Sequence, residues 1–166
     1  LRLQKRFETL FAALSDIDPN LKSKIHLVLV GSGPDELAVK SLAKCVSGIS
    51  VHFVGHQDDV ALWFSLADLV VMPSYTEAFG LTAVEAMSCG KPLVASDIEG
   101  ISEVVQNGIS GILVEPKNPS ALAVAMTQVL TSQKLAGQLA RAAKQRSTQF
   151  TVAAMVQGWQ NCYDRF

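Results

Sequence analysis

Charge is scarce in this chain. Of its 166 residues only 17% are Asp, Glu, Lys or Arg, while 49% are hydrophobic; an ordinary soluble domain carries about 25% charged residues. The signs nearly cancel, 14 basic against 15 acidic for a net charge of −1, which leaves no electrostatic footprint for nucleic acid. Cysteine is scarcer still. Cys45, Cys89 and Cys162 are odd in number and scattered, with no C-x-x-C spacing, so neither a disulfide framework nor a zinc site is expected, and reduced thiols in a cytosolic protein are the plain reading. The histidines, His26, His52 and His56, show no metal-ligand pattern. His26 and His52 open strand-like runs and read as structural, while His56, after Gly55 at a strand end, stays open. No uninterrupted apolar run approaches the ~18 residues of a membrane span. Residues 1–18 carry Arg2, Lys5, Arg6, Glu8, Asp16 and Asp18, which is not a signal peptide.

What the chain does have is alternation. Short apolar runs at His26–Gly31, Val51–Gly55, Leu69–Met72, Leu93–Ser96 and Gly111–Val114 read as strands. Between them lie helical stretches: Pro34 to about Val46, a short one capped by Asp58 or Asp59 and running to Leu66, Leu81–Cys89, and Ile101–Gln106. Such alternation means β-α-β units and a parallel sheet covered on both faces. A helix pattern with Phe7, Leu10, Phe11 and Leu14 comes first. Three helices close the chain: one opened by Asn118-Pro119 with Leu122, Ala125, Met126, Val129 and Leu130 on its stripe, one at Gln133–Gln149, and one after Thr151 bearing Ala154, Met155, Trp159 and Tyr163. One α/β domain spanning 1–166 is the expectation.

The most informative stretch is Pro73 to Met87. It places Glu77 in the loop after a strand and Glu85 in the following helix, with Phe79-Gly80-Leu81 between them. The free N–H groups that open this helix, with its dipole, are a natural seat for phosphate. The helix is small-residued and apolar, so Glu85 is expected to be buried and in need of a hydrogen-bonding partner such as a ribose diol. Spacing alone leaves the plainer reading open, with Glu85 on a solvated stripe and Glu77 an ordinary loop acid. Gly31-Ser32-Gly33 is equally open: close backbone approach to a ligand, or a tight βα turn lacking the third glycine of a dinucleotide fingerprint. Asp97, at a strand end, and Glu103, in a first helical turn, read as structural.

The series Glu77-x7-Glu85 around Phe79-Gly80-Leu81, then Glu85-Ala86-Met87-x-x-Gly90-x-Pro92, resembles the donor-site signature of GT-B glycosyltransferases of the family 4-like group. Val30-Gly31-Ser32-Gly33-Pro34, Val54-Gly55, Ala95-Ser96-Asp97-x-x-Gly100-x-x-Glu103-Val104-Val105 and Gly108-x-x-Gly111-x-Leu113-Val114-x-Pro116 resemble that family in order and spacing. The similarity runs through roughly residues 1 to 165. It implies a Rossmann-like, doubly wound parallel sheet, the donor-binding C-terminal half of a two-domain retaining enzyme.

By the same resemblance, Glu77 contacts the donor sugar and Glu85 the ribose. Lys5 and the N–H groups of Phe79, Gly80 and Leu81 hold the diphosphate, Gly31 and Gly33 line the donor site, and the main chain near Gly55, His56 and Gln57 borders the base. Glu77 and Lys5 are the catalytic candidates, and no metal or other cofactor is expected. The family lysine falls at Lys5 and its arginine just before residue 1, Arg2 serving as that arginine only with a shortened loop, and Arg6 stands where the family often has glycine. The first strand and the acceptor-side domain are therefore expected to be missing, and the last helix, about 151–165, to cross back to that domain.

The activity implied is transfer of a hexosyl group from a UDP- or GDP-linked sugar to a glycan or lipid-linked acceptor in polysaccharide biosynthesis. The enzyme would be cytoplasmic, its parent peripheral at the inner membrane face, and this piece alone inactive. Two other classes stay open: a non-catalytic nucleotide-sugar-binding module, and a GT-B-like sugar-nucleotide epimerase.

Overall fold

The computed structural model describes residues 1–2 and 5–164. Among the described residues five strands are present, β1 (His26–Val30), β2 (Ser50–Gly55), β3 (Val70–Met72), β4 (Leu93–Ser96) and β5 (Ile112–Val114), together with helices α1 (Phe7–Asp16), α2 (Pro19–Lys22), α3 (Glu36–Ala43), α4 (Val60–Leu66), α5 (Leu81–Ser88), α6 (Ile101–Val104), α7 (Pro119–Thr131), α8 (Gln133–Ser147) and α9 (Val152–Tyr163). Every strand pairing is parallel. The single sheet expected from the sequence is realised as two, β1 with β2, and β3-β4-β5 in that order. Among the described residues no strand pairs with the second edge of β1 or of β3.

Strand β4 shows why the fold is layered. Its residues alternate between faces. Leu93 and Ala95 join one apolar cluster with Ala83 and Met87 of α5, Ile101 and Val104 of α6 and Ala143 of α8. Val94 joins the other, with Phe7, Leu10, Phe11 and Leu14 of α1 and Leu122, Ala125, Met126 and Val129 of α7. That second cluster also takes in Leu27, Leu29, Val51 and Phe53, so both sheets share it. Each fully buried Leu or Val contributes roughly 1.5–3 kcal/mol, and β4 is buried along its whole length.

Sequence punctuation matches the helix ends. Asn118 Oδ1 accepts from the Ala121 N–H at 2.9 Å, with Pro119 in the first helical position. Asp59 caps α4 through Leu62 N–H at 3.1 Å. Thr151 caps α9 through Ala154 N–H at 3.1 Å. Gly90 follows α5 at φ 67°, the left-handed C′ position that glycine fills without strain. The four-residue α2, capped by Asp18, has no counterpart in the sequence reading. On α3, the Lys40 ammonium, hydrogen-bonded to Glu36 one turn away, holds that carboxyl below its ordinary range.

Helix α9 buries none of its side chains: Val152, Met155, Val156, Trp159 and Tyr163 are all exposed. The residue expected to end this helix, Arg165, lies outside the described residues.

Candidate active site

The site is built on the loop from β3 to α5. Beyond Met72 the chain passes through Pro73 and Ser74, both buried, and Glu77 follows in the loop as expected. The Glu77 side chain is 15% exposed. Its Oε1 accepts two hydrogen bonds, from Lys5 Nζ at 2.5 Å and from Ser74 Oγ at 2.8 Å. The two catalytic candidates thus meet directly, and Lys5 lies on the carboxylate rather than free in solvent. The backbone of the loop is held by a close approach. Gly100 has φ +85°, and a Cβ there would lie 2.5 Å from the Glu77 carbonyl oxygen and 3.1 Å from that of Ala78. Only glycine suits both the angle and the spacing.

Gly80 is the N-cap of α5 at φ 81°, and no side chain caps the helix. The Ala83 N–H donates to the Gly80 carbonyl at 2.8 Å, while among the described residues the Leu81 and Thr82 N–H groups have no hydrogen-bond acceptor, and the positive end of the dipole lies behind them. Two exposed apolar side chains flank them, Phe79 and Leu81. Phe79 meets Phe150 edge-on, with ring centroids 5.9 Å apart. Arg146 stacks over Phe150 at 4.9 Å and donates to the Val104 and Glu103 carbonyls at the end of α6. Tyr75 draws two cations, Lys117 at 4.2 Å and Arg6 at 5.0 Å from its ring centre. These two are the non-glycine residues with positive φ among the described residues.

Glu85 corrects an expectation. Ala83, Ala86 and Met87 of α5 are buried, but Glu85 is exposed. The apolar helix turns one face inward and leaves its carboxylate in water, so burial does not demand a partner for it. Glu85 instead lines a cleft of about 280 Å³ with Asp58, Asp59, Val60, Ala61, Phe64, Ser88 and Cys89. The loop after β2 reaches this cleft. Its Gln57 spends its amide on structure, donating to the Val54 carbonyl at 2.7 Å and accepting from Trp63 Nε1 at 3.1 Å. His56 is exposed, 3.5 Å from Asp58.

The glycine turn after β1 lies beside the end of β2, since the Gly31 N–H donates to the Gly55 carbonyl at 2.6 Å. A Cβ on Gly33 would collide with the backbone of Leu1, whose nitrogen would be 2.0 Å away. The close approach that Gly33 permits is made here by the chain itself. His26, the first residue of β1, and His52, the third of β2, read as structural; both are exposed and their rings hydrogen-bond to each other at 3.2 Å. Asp97 and Glu103 are exposed.

Sequence reasoning missed Ser74, Gly100 and Phe150 as parts of the site. Gly100 stood inside a motif without a role, and Pro73-Ser74 offers only a turn signal. A larger groove of about 610 Å³ runs between α1 and α7, lined by Asp16, Asp18, Ser120, Ala123, Val124, Thr127 and Gln128. Asp16 and Asp18 have the Asp-x-Asp spacing, and Asp18 Oδ1 accepts from the Asn20 N–H at 2.9 Å to cap α2. Among the described residues no group of three or more His, Cys, Asp or Glu could hold a metal ion, and no helix is long and apolar enough to cross a membrane.

Residues 1–146 match the family model described as glycosyl transferases group 1. The chain is 34% identical over 145 residues to the N,N'-diacetylbacillosaminyl-diphospho-undecaprenol alpha-1,3-N-acetylgalactosaminyltransferase of Campylobacter jejuni, covering 87% of this chain and 38% of that protein. It is 34% identical over 160 residues to the D-inositol 3-phosphate glycosyltransferase of Salinispora arenicola, covering 92% of this chain and 36% of that one. Among solved structures, HepE of Anabaena in complex with UDP superposes with a TM-score of 0.88 at 28% identity, over 100% of this chain and 47% of that one. The chain spans less than half the length of each of these proteins.

Proposed function

The chain belongs to the glycosyl transferases group 1 family, and from that premise we propose that it forms the donor-binding, C-terminal half of a retaining glycosyltransferase. The full-length enzyme moves a hexosyl group from a UDP- or GDP-linked sugar to a glycan or lipid-linked acceptor. The observation that carries this reading is the convergence of Glu77, Lys5 and the uncapped start of α5 on one loop.

Each part has a job in the transfer. The diphosphate sits against the N–H groups of Gly80 and Leu81, where helix dipole and free donors neutralise the charge that grows as it leaves. Lys5 adds a point charge beside it. Glu77 accepts hydrogen bonds from sugar hydroxyls and tolerates the positive charge developing at the anomeric carbon. Glu85, on the wall of its cleft, takes the ribose diol. The base rests against the main chain of Gly55, His56 and Gln57, a role that the prior commitment of the Gln57 amide supports, and Gly31 and Gly33 shape the neighbouring turn. No metal enters this scheme. UDP and UDP-glucose bound to the Anabaena relative support a nucleotide-sugar donor.

The acceptor is bound by a facing domain, against which the apolar side of α9 packs. The parent works in the cytoplasm, at the inner face of a membrane where its acceptor is lipid-linked, and serves polysaccharide biosynthesis. Closure of two domains is needed to exclude water, so this chain alone binds nucleoside diphosphate without transferring sugar.

The test is a thermal-shift screen of nucleotide-sugars on the full-length parent, followed by transfer assays with and without EDTA. Stabilisation by one nucleotide-sugar and transfer that survives EDTA are expected. Activity lost to EDTA and restored by manganese or magnesium would contradict the metal-free scheme. A changed sugar formed from the nucleotide-sugar without acceptor would identify an epimerase instead, and binding with no turnover a regulatory module.

A further inference from the structure

We propose that Ser74 is a positioning residue for the sugar-contacting carboxylate, holding Glu77 in register when the diphosphate competes for Lys5. The assignment rests on the functional reading of Glu77 given above.

Ser74 is 1% exposed, at the buried end of the segment leaving β3. A hydroxyl in such a place is costly unless bonded, and among the described residues its hydrogen bond goes to Glu77 Oε1, at 2.8 Å. The same oxygen receives Lys5 Nζ at 2.5 Å. Both donors therefore act on Oε1, and no described residue donates to Oε2. The carboxylate is clamped by one oxygen and offers the other.

The two donors differ in what can displace them. Lys5 is 35% exposed on a flexible stem, and a diphosphate at the start of α5 carries more negative charge than Glu77, so it draws the ammonium away. Ser74 cannot follow. It is fixed between the buried Pro73 and the loop, and its hydroxyl has no second described acceptor. With nucleotide-sugar bound, Ser74 alone keeps the Glu77 carboxylate from swinging, and Oε2 stays aimed at a sugar hydroxyl. Preorganised acceptors of this kind matter most in the transition state.

The experiment is a double-mutant cycle in the full-length enzyme. Ser74→Ala should lower kcat about tenfold to hundredfold, the range set by one hydrogen bond to a charged group. Calorimetric affinity for the bare nucleoside diphosphate should stay within about twofold. In a Glu77→Ala background, Ser74→Ala should cost nothing further. Ser74→Thr, which keeps the hydroxyl, should retain most of the turnover, and thermal melts of each variant separate misfolding from lost positioning. If Glu77→Ala is too slow to measure, the same cycle is read from affinity for the nucleotide-sugar relative to the bare diphosphate.

Equal losses in both backgrounds would overturn the assignment. So would full turnover of Ser74→Ala beside a crippled Glu77→Ala, which leaves the functional reading intact. Full turnover of Glu77→Ala itself would overturn that reading, and this assignment with it.

Discussion

Glu77 and Glu85 lie eight positions apart in one segment, and their surroundings are opposite. Glu77 is mostly buried and takes donors from Lys5 and Ser74 on a single oxygen, in a loop whose backbone rests on Gly100. Glu85 is exposed and its carboxylate accepts no hydrogen bond from any described residue, on the wall of an open cleft shared with Asp58 and Asp59. On the proposed reading the difference separates two kinds of work. A carboxylate held in one rotamer before any ligand arrives is suited to a group whose geometry must be right during the reaction. A carboxylate left in water costs nothing to maintain and gains its bonds only on binding.

That contrast can be broken experimentally in the full-length parent. The largest effect is expected from Glu77→Ala, a drop in turnover of about 100-fold or more, as for an interaction made chiefly in the transition state; steady-state rates check it. Gly100→Ala should come next. It forces a Cβ against the Glu77 carbonyl at a left-handed φ, so about 1–3 kcal/mol of stability and about tenfold in turnover should be lost, read by denaturant unfolding and by rates. Nucleoside diphosphate affinity should barely move, and a large loss there would show that the loop serves the nucleotide as well.

Phe150→Ala removes the ring that props Phe79. It should cost a few-fold in turnover and ~1–2 kcal/mol, less than a fully buried ring would. Smallest of all is Trp159→Ser on α9. That side chain is exposed in this chain, so the chain alone should melt within about 0.5 kcal/mol of the original. The full-length protein should lose more, and equal melts in both settings would argue against α9 as the surface that meets another domain.

Much of this was legible in the sequence because local chemistry and fold agree. Strand runs such as Leu93–Ser96 needed no correction, and Asn118-Pro119, Thr151 and Gly90 marked their helix ends by the mechanism that places those residue types there. Glu77 fell in its loop for the same reason. Burial was less legible. The segment at α5 reads as apolar throughout, yet tertiary packing takes up Ala83, Ala86 and Met87 and leaves Glu85 outside.

The division of the sheet was not legible either. His26–Val30 looks as strand-like as Leu93–Ser96, but β1 pairs on one edge and leaves Val28 40% exposed, while β4 has a neighbour on each side and is buried throughout. Nor does a sequence show that Ser74 finds a carboxylate three residues on, or that Gly100 underlies a loop more than twenty positions earlier. Such contacts depend on how segments are folded against one another rather than on any local pattern.

The division of labour between the two glutamates is tested most directly by calorimetry of nucleoside diphosphate binding to Glu77→Ala and Glu85→Gln in the parent enzyme, set against their steady-state rates. Glu85→Gln should weaken nucleotide binding about tenfold to a hundredfold, through loss of charge-assisted hydrogen bonds of roughly 1.5–3 kcal/mol. Glu77→Ala should leave that affinity nearly intact while turnover collapses. Equal loss of nucleotide affinity in both variants, or no change in either, would contradict the account.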